Sequence, residues 1–135
     1  MTKLYLGIDP GRSKTGLALV DGVGKIIKLN IAESQNIDNE IVEFLKNSCP
    51  VQIVLGNGTN SRNICEVVQK VLPDVFITVV EEAHSTEEAR TLYWQENPPK
   101  GLKKLIPLGL LVPPIPLDAY AAVILVRRFL EDNHE

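Results

Sequence analysis

The sequence predicts an α/β fold in which one five-stranded mixed sheet of order 3-2-1-4-5 is flanked by helices, built by residues 1–135 as a single domain. Three features carry that expectation. Three short apolar runs joined by glycine-bearing turns open the chain, and two later apolar runs alternate with segments of helical period. The third is composition: 44% hydrophobic and 23% charged residues suit a chain that buries a core of its own.

The opening runs, "KLYLGID" and "TGLALV", are joined by "PGRSK", and "DGVG" leads from the second into "KIIKLNIA"; together they read as an antiparallel meander. From residue 37, "IDNEIVEFLKNS" sets Ile37, Ile41, Phe44 and Leu45 on one helical face. "VQIVLG" at 51–56 reads as a strand buried on both faces. In "GNGTNSRNICEVVQKVLP", Ile64, Val67, Val68, Val71 and Leu72 keep the helical period until Pro73 ends it, and "VFITVV" follows as the fifth strand. Ser85 and Glu88 have the spacing of a capping box, predicting a helix from 85 to about 96. Prolines at 98, 99, 107, 113, 114 and 116 then impose an irregular segment, and a last helix is expected over about 117–131.

Strands separated by helices pair in parallel through right-handed crossovers, so the first strand of the meander belongs in the middle, beside the two later strands. This is the ribonuclease H-like order. Strand alternation sets Leu4, Leu6 and Ile8 on one face and Tyr5, Gly7 and Asp9 on the other, with Asp9 at the C-terminal end where open α/β sheets hold ligands. A carboxylate there can also serve merely as an acceptor for the turn that follows. Two more acidic residues fall where one site can use them: Glu82, just past the fifth strand, and Asp118, in the first turn of the last helix. Three converging carboxylates raise one another's pKa values unless cations occupy them. Mg2+ or Mn2+ suits such an all-oxygen set. Two ions about 4 Å apart fit phosphodiester hydrolysis by water to leave a 5′-phosphate, Asp9 bridging both ions and Glu82 and Asp118 holding one each.

"GIDPGRSKTG" resembles the opening of RuvC-type Holliday-junction resolvases, the likeness resting on Gly7, Asp9, Pro10, Gly11, Thr15 and Gly16. "VVEEAHSTEEA" and "LDAYAAVIL" are similar to the later motifs of the YqgF branch of the same superfamily. What the resemblance implies is a ribonuclease H-like, metal-dependent nuclease, acting in DNA recombination on branched DNA or in processing of precursor ribosomal RNA. Asp9, Glu82 and Asp118 are then its catalytic and metal-holding residues. The resolvase branch also has a glutamate at the end of the fourth strand and a second aspartate in the last helix, where this chain has Gly56 followed by Asn57, and Ile115. Glu82 must therefore reach across a strand, about 4.8 Å. Gly56, without a side chain, leaves a gap for that reach, or else only permits a tight turn.

Other residues suit binding. Gly11, Arg12 and Lys14 flank the opening turn, and Asn57 and Arg62 flank a helix N-terminus that favours a phosphate, with Asn60 or Ser61 as simple caps in the alternative reading. His84, two residues beyond Glu82, suits a proton shuttle or assistance to a metal, or is an ordinary loop residue. The net charge of −3 advertises no basic surface, although lysines and arginines gather locally at 12 and 14, at 100, 103 and 104, and at 127 and 128. Two other functions share this fold: a non-catalytic nucleic-acid-binding relative, and an actin-like ATP-binding domain, which needs two such domains around its nucleotide. No membrane is expected as a partner, since four prolines interrupt the apolar run 105–117 and the N-terminus lacks a signal-peptide pattern, so a cytoplasmic location is expected. Cys49 and Cys65 are expected as buried free thiols. The last helix is apolar almost all round, Ala121 and Ala122 allow it to pack closely, and "LIPLGLLVPPIPL" is expected to cover it as a lid or through a second subunit, whence a homodimer with contacts in 105–117.

Overall fold

Alternating apolar residues make the first three elements strands. β1 (Leu4–Asp9), β2 (Lys14–Asp21) and β3 (Ile26–Glu33) form the expected antiparallel meander. The computed structural model describes residues 3–83, 85–107 and 110–132. β4 (Gln52–Gly56) pairs in parallel with β1, and β5 (Phe76–Val80) with β4, giving the sheet order β3-β2-β1-β4-β5. Helices α1 (Ile37–Phe44) and α2 (Ser61–Val71) make the crossovers on one face, while α3 (Ser85–Glu96) and α4 (Asp118–Asp132) cover the other.

The two faces follow the alternation read from the sequence. Leu6, Ile8, Leu17, Leu19, Ile53 and Leu55 pack against Ile37, Ile41 and Phe44 of α1 and Ile64 and Val68 of α2. On the opposite face Ala18, Val20 and Val54 meet Ala89 and Leu92 of α3 and Ala122, Val123 and Val126 of α4. Gly7 faces the same way, and a Cβ there would overlap the Ala122 carbonyl and lie 2.7 Å from Val126 Cγ2, so the strand and α4 touch almost backbone to backbone.

Several local expectations need correction. The helix expected to run to residue 48 ends at Phe44, because Asn47 adopts φ 68°, a left-handed turn that asparagine tolerates better than most residues; Leu45 stays buried beyond the helix end. The capping box does not form. Ser85 is the first residue of α3, its N–H donates to Glu82 O at 2.9 Å, and the Glu88 carboxylate pairs with Arg128 of α4, a full charge that outcompetes a backbone N–H. Cys49 is exposed and Cys65 half-buried; both are free, and only the second meets the core. No described helix is long and apolar enough to cross a membrane.

The largest correction concerns what covers α4. Its cover is α3, an antiparallel neighbour whose Ala89, Leu92 and Tyr93 lie on one face at helical spacing. Among the described residues of 97–117, Leu111 alone is buried, against Tyr93 and Trp94, whereas Leu102, Leu105 and Leu110 are 84%, 82% and 75% exposed. Proline fixes φ and removes donors, so the described residues of this segment hold only short 3-10 turns, such as Gly101–Leu105, and form no regular layer over the helix.

Candidate active site

Asp9 is the last residue of β1, and its cross-strand partner in the register is Gly16 of β2. Gly16 explains how a residue from the far end of the chain reaches it. A Cβ at Gly16 would overlap the Asp118 carbonyl and lie 2.7 Å from Ala119 N, so the first turn of α4 rests directly on the strand beside Asp9. The alanines of α4 allow close packing as expected, with Ala121 and Ala122 both buried, but the decisive small residues are Gly7 and Gly16 on the sheet. Asp118 opens α4, where its charge also favours the helix dipole.

Glu82 arrives from the loop after β5 and does cross the end of β4. A Cβ on Gly56 would stand 2.7 Å from Glu82 Cγ, and one on Gly58 would overlap the Glu82 carboxylate. The gap left by Gly56 is thus a real space, filled by Glu82. Two groups hold the loop. Asn57 Oδ1 accepts the Glu82 N–H at 3.1 Å while the Asn57 N–H donates to Val80 O at 3.0 Å, and Arg128 Nη1 donates to Glu81 O at 2.9 Å.

Burial, a side-chain hydrogen bond with Glu82, and the negative charges of Glu82 and Asp118 push the Asp9 carboxyl up to about 9. These surroundings favour the neutral form of the Asp9 carboxyl. Burial also raises Asp118. None of the three forms an ion pair with a described Lys or Arg. Asp9 is thus the hub of two acidic neighbours, yet among the described residues no three His, Cys, Asp or Glu side chains stand at the spacing that holds a metal ion.

The turn after Asp9 is pinned by Thr15 and Asn60 together with Ser34, which sequence reasoning passed over. Thr15 is fully buried, its Oγ1 lies 2.7 Å from Ser34 Oγ, and Ser34 Oγ donates to Gly11 O at 2.7 Å. Gly11 O also accepts from Asn60 Nδ2 at 3.0 Å, so Asn60, the residue before α2, turns its amide nitrogen to the turn and makes no cap hydrogen bond, while its Oδ1 accepts from Asn63. That bond ties the turn carrying the exposed Arg12 to the start of α2, whose first turn carries the exposed Arg62. Lys14 is engaged by Glu33 at 2.6 Å, Asn57 by the Glu82 backbone, and His84 lies outside the described residues. Ser34 carried no signal a local reading detects, since its partners are Gly11 and Thr15 across the meander.

No protein-family model matches the chain, and no curated protein sequence matches it. Solved structures do. A structure of Thermus thermophilus RuvC is similar at a TM-score of 0.58 and 17% identity, over 96% of this chain and 95% of that one. T. thermophilus RuvC in complex with Holliday junction substrate gives 0.60 and 14%, over 98% and 97%. A ROK family transcriptional regulator, homologue of the E. coli MLC protein, gives 0.48 and 12%, and this chain spans 30% of its length. The chain shares the RuvC-like, ribonuclease H-like α/β fold over nearly its whole length.

Proposed function

We propose that residues 1–135 form a single nuclease domain that hydrolyses phosphodiester bonds in structured nucleic acid with the help of Mg2+ or Mn2+, in the cytoplasm. The observation that carries the reading is the setting of Asp9: a carboxyl at the C-terminal end of the central strand, raised by burial and by two acidic neighbours, with no ion pair to a described Lys or Arg. The donor set fits a hard divalent ion, being oxygen only, and the raised Asp9 carboxyl marks a site that favours a positive charge. The reading requires Asp118 to close on the Asp9–Glu82 pair when an ion binds, because the three do not stand at ion-holding spacing without it.

When bound, the ion supplies charge stabilisation to the attacking and leaving oxygens of a phosphodiester. The chain does the rest. Asp9 releases its proton to admit the ion, so binding strengthens as pH rises. Asn57 and Arg128 fix the loop that carries Glu82, and Gly16 seats the backbone of Asp118 against β2, leaving its side chain free to close on the pair. Arg12 and Arg62 offer positive charge to the phosphates of a bound strand.

Branched DNA is the first substrate to test, supported by the fold shared with RuvC, which is known bound to a Holliday junction. The exposed Leu102, Leu105 and Leu110 support assembly as a homodimer, which suits two symmetric cuts. The experiment is cleavage of a four-way junction, beside structured and single-stranded RNA, with Mg2+ or Mn2+. Cutting that disappears in Asp9→Asn is the expected result. Tight binding of these substrates without cutting under either metal sinks the nuclease reading and leaves a nucleic-acid-binding protein.

A further inference from the structure

A cavity of about 390 Å³ lies between the C-terminal end of α3 and the proline-rich segment, with Tyr93, Trp94, Lys100, Lys103 and Leu111 in its walls. Its chemistry is mixed. Tyr93 packs edge-on against both Trp94 and Tyr120, with centroids 4.9 and 5.5 Å away, which fixes the aromatic wall. Trp94 is 8% exposed, and its indole N–H is buried without a hydrogen-bond partner, a donor with nothing to donate to. Lys100 and Lys103 are exposed and form no ion pair with any described residue. Leu117 and Tyr120, which flank Asp118 in sequence, pack against the same aromatic cluster, so the wall of the cavity is continuous with the residues on either side of the third carboxylate.

We propose that this cavity receives one unpaired nucleotide of the nucleic-acid substrate. The base lies against the aromatic and proline wall, its phosphate pairs with Lys100 and Lys103, and an acceptor on the nucleotide takes the Trp94 N–H as Leu111 yields. Each requirement excludes something: an apolar ligand leaves the indole N–H and both lysines unanswered, and inorganic phosphate leaves the aromatic wall bare. A paired base in a duplex keeps its faces stacked and cannot enter. The inference deepens the nuclease reading, on which it rests, by making single-stranded character next to the cut a feature of the substrate.

Trp94 is the single tryptophan of the chain, so its fluorescence reports on the cavity itself. The full chain is titrated in EDTA, where no cleavage occurs, with a single-stranded oligothymidylate, a blunt duplex of equal length, and inorganic phosphate. The expected result is quenching by the single strand, with affinity about tenfold above that for the duplex. Lys100→Gln with Lys103→Gln, both at exposed positions, weakens single-strand binding about tenfold and lowers the slope of log affinity against log salt by about 1.4. Trp94→Phe keeps a ring but no donor, and weakens binding of a dye-labelled strand in the same direction. Equal affinity for strand and duplex, equal quenching by phosphate alone, or unchanged affinity in the double lysine variant overturns the proposal. The two readings fail separately: binding through the cavity without cleavage under any metal condemns the nuclease, while Asp9-dependent cleavage with no effect of the cavity variants condemns the cavity.

Discussion

The two faces of the sheet are packed by different means. Beneath α1 and α2, large side chains meet large side chains: Leu6, Ile8, Leu17, Ile53 and Leu55 are essentially inaccessible among Ile37, Ile41 and Ile64. Beneath α4 the sheet offers Gly7, Gly16 and Ala18, and the helix answers with Ala119, Ala121 and Ala122. Burial of bulk on the first face supplies stability in proportion to area. On the second face, which also buries Val20, Val54 and Val126, the bare positions Gly7 and Gly16 set a distance, since a methyl group at either overlaps the backbone of α4. Stability and site geometry are therefore carried by opposite sides of one sheet.

The largest effect expected is at the charge the second face exists to place. Asp9→Asn should abolish metal-dependent cleavage while circular dichroism and elution volume stay unchanged, because shape is conserved and only charge is lost; activity retained in the purified variant removes Asp9 from the mechanism. Next comes the direct contrast between faces. Gly16→Ala should displace α4, costing about 1–3 kcal/mol by overpacking, and should lower cleavage by about a hundredfold through the misplaced Asp118. Ile53→Ala, on the other face, should cost about 2–5 kcal/mol in urea unfolding yet leave the rate per folded molecule near that of the wild type. Equal losses of specific activity in the two variants would dissolve the distinction.

Gly56→Ala probes a softer contact, because the Cβ meets a side chain that can swing aside, and a loss of cleavage of about tenfold is expected with little change in melting temperature. The smallest and most informative effect concerns pH. The Asp9 carboxyl, raised to about 9 in the folded chain from an ordinary value of 3.8, binds a proton in the native state that the unfolded chain has lost. Metal-free stability should thus be fully present below about 4 and decline as pH rises toward about 9. Asp9→Asn should flatten that decline, and added Mg2+ should raise the melting temperature of the wild type but not of the variant. A decline that persists unchanged in Asp9→Asn assigns it to other groups.

What could be read in advance follows from the range of the forces involved. The meander, the crossovers and the two faces were legible because a period of two and a period of 3.6 are local, and Asp9, Glu82 and Asp118 were legible as acidic groups placed at element ends. The space at Gly56 followed from counting strands. The Thr15–Ser34–Gly11–Asn60 circuit was not legible, since its hydrogen bonds join residues 19, 23 and 49 positions apart. Nor was the cover of α4. "STEEARTLYWQE" reads as a polar helix and "LIPLGLLVPPIPL" as an apolar cover, but burial went to the segment that can form a regular surface rather than to the more hydrophobic one.

The close seat of α4 on Gly16 also has a consequence in time. The Asp9–Glu82 pair is drawn from β1 and the loop after β5, whereas Asp118 belongs to a helix that follows both in the chain and docks on strands already in place. A ribosome delivers these parts in that order. The emerging polypeptide therefore carries Asp9 and Glu82 before Asp118, which joins them only when α4 settles against the sheet.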